Sequence, residues 1–432
     1  MPSFRILFTV ISTLVLAQVL PAQPLWTLEK SGFLLLAASL TFLCICKQRA
    51  RDLVRHAIEL EPEAAGALRL EVGAKFDAIR NFVQSLWGWS YPLVLGGTGW
   101  LSWAVVAKES GLNFLFAICL FAPHLMFCVM LEWLSAQMDG FCGENIWARW
   151  RLRLRFGELA SVLVCLCPFI AISGLVDLAE MGVGNSASVW LQCGVGITVL
   201  LLASAFYPIL FGKWTGVSQL TNQETSDRCE ALMVRAGIKH CNLVEVASDG
   251  TWNSAAIVGW MPWTRQLWLG DSLLKRLNPE ELDMVVLHEA AHIRCHHFSF
   301  RMLPLLWSVL TGSGMLVTLN LSLGPGWWPG AISLIGAAAV LMIGMGVVSR
   351  SCELEADAKA CELAAEQCAW AAGDMTVVQE ALVRALEKTI EPEHQTARSW
   401  MHPSLKERIS HLAKLSSEKR QKASEQSGVR YA

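Results

Sequence analysis

A mainly α-helical, multi-span membrane protein that also carries a small α+β domain in two pieces is the fold class this sequence predicts. Three observations predict it. The chain is 53% hydrophobic and only 17% charged, with mean hydropathy +0.41, whereas soluble domains carry about 25% charged residues. About eight apolar runs stand along it, most of them long enough to cross roughly 30 Å of hydrocarbon as helices. Between residues 213 and 302, and again from 349, the composition turns mixed and polar enough to fold in water. Nineteen Trp against three Tyr suit the same class, because indole rings favour the lipid–water interface.

Residues 1–46 hold two apolar runs, 6–20 and 32–46. The first is a signal peptide, with Leu20-Pro21-Ala22 as a weak cleavage site, or a first span; both give the same topology downstream. Residues 47–85 begin with the basic flank Lys47, Arg49, Arg51 and Arg55 and read as a polar helical stretch interrupted near Pro62 and Gly66. Segment 86–212 contains four runs, at 86–107, 113–135, 158–176 and 188–212. Arg149, Arg151, Arg153 and Arg155 alternate with apolar residues between the second and third of these. They read as a juxtamembrane anchor in lipid headgroups. A net charge of −2 with no long basic run points away from nucleic acid. Placing the basic loops in the cytoplasm gives one consistent alternation of spans. His124, in mid-span after Pro123, is either functional or packed on a neighbouring helix. The fourteen Cys form no C-x-x-C and read as free thiols.

In the segment 213–302, residues 217–238 read as helix, and 243–246, 254–258 and 266–269 as strands, with a turn at Trp260-Met261-Pro262. A second helix then has strong start signals. Asn278 fits the N-cap, Pro279 the first turn and Glu281 a capping box, with Leu277 and Leu282 as a staple. This helix contains His288-Glu289-Ala290-Ala291-His292, an H-E-x-x-H pattern. Residues four apart share a helical face, so both imidazoles can address one ion, while Glu289 points obliquely into the same space. Two nitrogen ligands and a carboxylate able to take a proton from water are what a zinc hydrolase needs.

Segment 303–348 is a membrane hairpin, two apolar runs (303–322 and 331–348) joined by Gly324-Pro325-Gly326-Trp327-Trp328-Pro329-Gly330. Two crossings return the chain to the face it left, so residues beyond 349 can complete a site begun at His288. Segment 349–415 opens with Ser349-Arg350-Ser351-Cys352-Glu353-Leu354-Glu355-Ala356-Asp357. Glu353 and Asp357 are four apart; one can bind the ion while the other holds a ligand imidazole. The bland alternative is an acidic helix N-terminus. Glu355 points about 200° round the helix from Glu353, and His296 is about 12 Å along the axis from His288, too far to share its ion. Cys295 and Phe298 stand where an H-E-x-x-H-x-x-G-x-x-H site would need Gly and His, so His296 and His297 read as interfacial surface residues. Segment 416–432 reads as a disordered, charged tail.

The metal-motif helix, the hairpin and the S-R-x-x-E-x-x-A-D run together resemble the integral-membrane zinc peptidase family of the heat-shock protease HtpX and the CAAX prenyl endopeptidases. Met401-His402-Pro403-Ser404-Leu405-Lys406-Glu407-Arg408-Ile409 is similar to that family's T-H-P-x-x-x-x-R-I run. The resemblance spans about residues 213–415. It implies a cytoplasmic zincin-like metalloprotease domain split by the hairpin. One Zn²⁺ per chain would bind His288, His292 and Glu353, with Glu289 as general base and Asp357 supporting a ligand. It further implies that His402 and Arg408 lie near the site and stabilise the oxyanion. An edge strand would hold substrate main chain, through Asn253, Ala255 and Ala256 in the similar run Asn253–Gly259, whose Asn-to-Gly distance is one residue longer than the family's. The function implied is endoproteolysis of membrane-associated proteins or peptides among membrane lipids, in a multi-pass protein of the bacterial inner membrane with its site facing the cytoplasm. A signalling sensor-transducer of related type would lack the H-P-x-x-x-x-R-I run and carry an extracellular sensor domain. A non-catalytic scaffold would not need intact Glu289, Glu353 and Asp357.

Overall fold

The computed structural model describes residues 26–60, 65–141, 144–156, 217–247, 253–259, 261–324, 327–390 and 401–426, with scattered positions in 9–17 and 159–215. The predicted runs 6–20, 158–176 and 188–212 lie largely outside the described residues. The chain forms two compact units, residues 1–203 with 314–335, and residues 204–313 with 336–432.

In the first unit the helices are α1 (Leu28–Leu60), α2 (Ala65–Gly97), α3 (Trp100–Glu109), α4 (Asn113–Phe141) and α5 (Ile146–Phe156). The run expected at 32–46 continues as α1 to Leu60, and the rest of the polar stretch expected at 47–85 opens α2, with the break beside Pro62 as expected. The run 86–107, expected as one span, is broken between α2 and α3. Gly96, Gly97 and Gly99 explain the break: Gly99 has φ 72, and a Cβ there would meet the Trp26 ring at 3.0 Å. Trp87, Tyr91, Phe121 and Phe127 lead the buried core. His124 belongs to it as a packing residue. Its Nδ1 accepts from Trp87 Nε1 at 3.1 Å, and its ring centroid lies 5.1 Å from that of Tyr91. Of the α5 arginines, Arg153 grips Asp139 with bonds of 2.7 and 2.9 Å, and Arg149 pairs with Glu144.

The second unit holds β1 (Ser218–Gln219), α6 (Gln223–Arg235), β2 (Asn242–Val246), β3 (Ala255–Val258), β4 (Gln266–Gly270), α7 (Asp271–Arg276) and α8 (Pro279–Arg294). It also holds α11 (Met375–Thr389) and α12 (Leu405–Gln426). Two long helices, α9 (His297–Leu323) and α10 (Trp327–Gln367), belong partly to this unit and partly to the first. The sheet order is β1-β2-β4-β3, with β2 parallel to β4 and β3 antiparallel at one edge. The predicted strands fall within one residue of β2, β3 and β4. The two-residue β1, expected as helix, pairs with β2 through Ser218 and Gln219.

The start of α8 is as the sequence predicts. Asn278 accepts from the Glu281 N–H at 2.9 Å, and Glu281 reaches back to the Asn278 N–H at 3.0 Å. Glu281 also receives Lys388 of α11 at 2.7 and 2.8 Å, which ties the late helix to the metal-motif helix. Helix α10 runs unbroken for 41 residues, so Ser349–Asp357 lies inside it and is not an acidic helix N-terminus. Gly344 of α10 fits close to α9: a Cβ there would lie 2.9 Å from Pro304. Helix α12 continues to Gln426, past the boundary expected at 416. Its Lys, Arg, Gln, Ala and Glu residues are strong helix formers, and that propensity outweighs the charged composition.

By length and composition, four helical stretches among the described residues can cross a membrane: Leu28–Arg55, Asn113–Gly140, His297–Leu323 and Trp328–Gln367. The exposed side chains of α9 include Leu305, Leu306, Trp307, Val309 and Leu310, and those of α10 include Ile335, Ile343 and Val347. Such rows are costly in water and comfortable in lipid. The protein is a membrane protein.

Candidate active site

Three side chains meet where α8 passes α10. His288 and His292 are one turn apart on α8, and their Nε2 atoms are 3.2 Å from each other. Glu353 of α10 brings Oε2 to 3.6 Å from His288 Nε2 and Oε1 to 3.7 Å from His292 Nε2. A tetrahedral ion with bonds of about 2.0–2.1 Å holds its ligands about 3.3 Å apart. The three donors therefore already form one face of such a tetrahedron, and their nitrogen and oxygen chemistry suits zinc. The fit is good without any rearrangement of the backbone.

Each histidine is held from behind by a different set of groups. Asp357, fully buried one turn beyond Glu353, puts Oδ1 3.0 Å from His288 Nδ1. This is a charge contact, not an aligned hydrogen bond. Asp357 is in turn gripped by Arg408 of α12, through Nε at 2.6 Å and a terminal nitrogen at 2.5 Å. His292 Nδ1 instead meets His297 Nδ1 at 2.7 Å, and His297 Nε2 lies 3.3 Å from Glu355 Oε2. If His292 uses Nε2 for the ion, its Nδ1–H donates to His297, whose Nε2–H then faces Glu355.

Three of these positions correct the sequence expectations. His297 is 1% exposed and stands behind a ligand, so it is not an interfacial surface residue. Arg408, also buried, has two of its nitrogens committed to Asp357, so what its guanidinium meets here is the carboxylate behind His288. Ala256 has its backbone turned the wrong way for a substrate. Ser254 O accepts from the Gly270 N–H on the β4 side, so even-numbered residues of β3 face β4 and Ala255 and Ile257 face outward. Asn253 Oδ1 accepts from Ser272 Oγ at 3.1 Å, which pins the start of the strand to α7.

Glu289 makes the link between metal helix and strand. Its Oε2 accepts from the outward Ile257 N–H at 3.0 Å. Burial pushes the Glu289 carboxyl above the ordinary range, against the pull of nearby His288. His402 lies just before α12, with Nδ1 3.5 Å from Glu353 Oε1 and its side chain 60% exposed. The cap of α12 is Ser404, which exchanges bonds with Glu407. Arg301 of α9 donates to Glu353 Oε1 at 3.1 Å. Sequence reasoning missed His297, Ile257, Glu355 and Arg301 as neighbours of the site. The five-residue step from His292 to His297 offered a signal for the first only.

Without an ion, the two imidazoles differ sharply. Burial works against a charge on His288, but the carboxylates of Asp357 and Glu353 outweigh it and push its pKa up to about 10. Burial, and then the charge on His288, push His292 down to about 2.

Residues 219–416 match the family model "Peptidase family M48". No curated protein matches the chain. Among solved structures, "Crystal Structure of S. mikatae Ste24p" is similar at 15% identity and a TM-score of 0.48, over 90% of this chain and 100% of that one. That likeness is too distant to carry an argument about activity. The matched segment contains every site residue described above, and in residues 219–416 the chain is similar to the peptidases of family M48.

Proposed function

We propose that the protein is a membrane-embedded, zinc-dependent endopeptidase that cleaves membrane-associated proteins or peptides. The observation that carries the proposal is the meeting of His288, His292 and Glu353 at 3.2, 3.6 and 3.7 Å, from segments 61 residues apart at their nearest (353 − 292 = 61). Zinc, when bound there, supplies a Lewis acid that polarises the scissile carbonyl and makes water acidic enough to attack near neutral pH. All other steps belong to the chain's own groups.

Substrate main chain adds to the outer edge of β3, pairing with Ala255 and Ile257 as an extra strand. Pairing at Ile257 releases Glu289 from the N–H that it now accepts. Glu289 takes a proton from the attacking water as the new carbon–oxygen bond forms. It returns the proton to the nitrogen as the carbon–nitrogen bond breaks. Burial raises the Glu289 carboxyl above the ordinary carboxylate range, which makes it a better proton acceptor for the first transfer. His402, exposed beside Glu353, is placed to donate to the developing oxyanion. We assign the site to the cytoplasmic lipid–water boundary, of the inner membrane in a bacterial source; the basic flanks and the hairpin support that reading.

Glu289→Gln is the direct test. The variant should retain zinc, measured by elemental analysis, and lose cleavage of casein or a membrane-protein substrate by about three orders of magnitude or more. Chelator should abolish wild-type cleavage, and added zinc should restore it. Cleavage at the wild-type rate by a zinc-loaded Glu289→Gln protein would sink the assignment.

A further inference from the structure

Helices α8 and α9 are joined by two residues, Cys295 and His296, and His296 holds φ 54. A left-handed backbone is disfavoured for any residue with a Cβ, so the turn is imposed by its surroundings. Cys295 caps the end of α8 and His297 begins α9. Glu355 of α10 faces both. Cys295 Sγ, a His297 ring nitrogen and a Glu355 carboxylate oxygen all lie within 4.8 Å of one another. His297 Nε2 and Glu355 Oε2 are 3.3 Å apart, the spacing of two ligands on one tetrahedral ion.

We infer that Cys295, His297 and Glu355 form a second cation site, distinct from the one at Glu353, that takes a zinc-class transition ion. The donor set selects the class: a thiolate with an imidazole favours zinc or cobalt over magnesium or calcium. Charge agrees, since one thiolate and one carboxylate neutralise a divalent ion and leave no net charge at a lipid boundary. Access agrees as well. Cys295 is partly exposed and Glu355 exposed, so solvent reaches the position and can supply the fourth ligand.

The two sites touch through the 2.7 Å contact between His292 Nδ1 and His297 Nδ1. An ion on His297 Nε2 displaces the proton there, and the neutral ring then carries its proton on Nδ1, which meets the His292 Nδ1–H donor to donor and breaks the hydrogen bond between the two rings. His292 then becomes a poorer ligand, so each ion weakens the other. Excess zinc therefore lowers peptidase activity. This coupling, though not the site itself, rests on the catalytic reading above.

Cobalt titration of the full-length protein in detergent separates the sites, because only the second contains sulfur. The first equivalent should give visible bands alone, and the second an intense near-ultraviolet sulfur-to-cobalt band. Cys295→Ser should lose that band and the second equivalent while keeping the first; Glu355→Gln should weaken the second several-fold. Glu353→Gln should lose the first equivalent and keep the sulfur band, so failure of the catalytic reading would be seen separately. Excess zinc should inhibit the wild type several-fold and spare Cys295→Ser. A wild-type protein with no sulfur band at saturating cobalt, or a band unchanged in Cys295→Ser, overturns the site. Equal zinc inhibition of both proteins overturns the coupling.

Discussion

In the proposed zinc site, His288 and His292 are held by opposite means. Behind His288 stands a buried charge pair: Asp357 is fully buried, and Arg408 grips it with two short bonds. Behind His292 stands a neutral ring, His297, whose far nitrogen reaches Glu355, a carboxylate with 60% of its side chain exposed. One arm is dry and charged; the other runs from a dry imidazole to water. Electrostatics decide the difference. A buried ion pair is strongly destabilised when one partner is removed, whereas a solvent-exposed charge is screened and contributes little. The dry arm should therefore serve both folding and metal binding, and the wet arm chiefly metal binding.

The largest effect is expected from Arg408→Met. It leaves Asp357 buried without its cation, a loss of about 3–5 kcal/mol by analogy with other broken buried pairs. Thermal or denaturant unfolding in detergent measures it, and zinc affinity should fall by about 10–100-fold as well. An Arg408→Met protein with wild-type stability and affinity would show that α12 merely neighbours the site.

His297→Phe comes next. It keeps a buried ring of similar size but removes the acceptor for His292 Nδ1–H. Zinc affinity, measured by competition with a chromophoric chelator, should drop about tenfold. The loss of stability in the metal-free protein should be smaller than for Arg408→Met, because no charge is stranded. Equal losses of stability in the two variants would erase the distinction between the arms.

How far the sequence alone reaches follows the same division. The α8 capping box, the H-E-x-x-H face and the strands β2 to β4 were legible, because each depends on neighbours within a few residues. Glu353 and Asp357 were legible as a pair on one helical face; only the family resemblance said which of them is the ligand. The role of Arg408 was not. A motif fixes an arginine's place in the order of residues but not whether substrate or carboxylate occupies its guanidinium, and here Asp357 does. His297 was read as surface because the hydropathy around it is interfacial. Its burial comes from the left-handed turn at His296, which no local propensity favours. Likewise, the resemblance named Asn253, Ala255 and Ala256 together, but backbone groups alternate between the two edges of a strand, so Ala255 and Ile257, not Ala256, have theirs on the edge away from β4.

A pH series sharpens the comparison. In the metal-free protein the His288 pKa is raised to about 10, and that of His292 is lowered to about 2. A raised value contributes stability that is fully present below the unfolded pKa of about 6.5 and is lost as pH rises through about 10. Zinc must expel the His288 proton, so its affinity should fall about tenfold per pH unit as pH drops from about 9 to 7. Over this range the metal-free protein should lose stability as pH rises, whereas the zinc-loaded protein, which like the unfolded chain carries no proton on His288 above about pH 6.5, should stay nearly level. Zinc affinity that stays flat over this range would mean that His288 carries no proton to displace.

The smallest effect on the catalytic ion is expected from Glu355→Gln. Its carboxylate lies 3.3 Å from His297 Nε2, but water screens most of its charge. The amide oxygen of Gln still accepts from the His297 N–H, so the tautomer that lets His297 accept from His292 is preserved. Affinity for the first zinc should change by about twofold or less, and unfolding should be unaltered within error. Asp357→Asn provides the matched control on the dry arm. It too keeps an acceptor oxygen, but it strands Arg408 in a buried site, and it should weaken zinc binding far more. The ratio of the two losses measures how much of the asymmetry comes from burial and how much from hydrogen bonding alone. If the ratio is near one, burial is not what separates the arms.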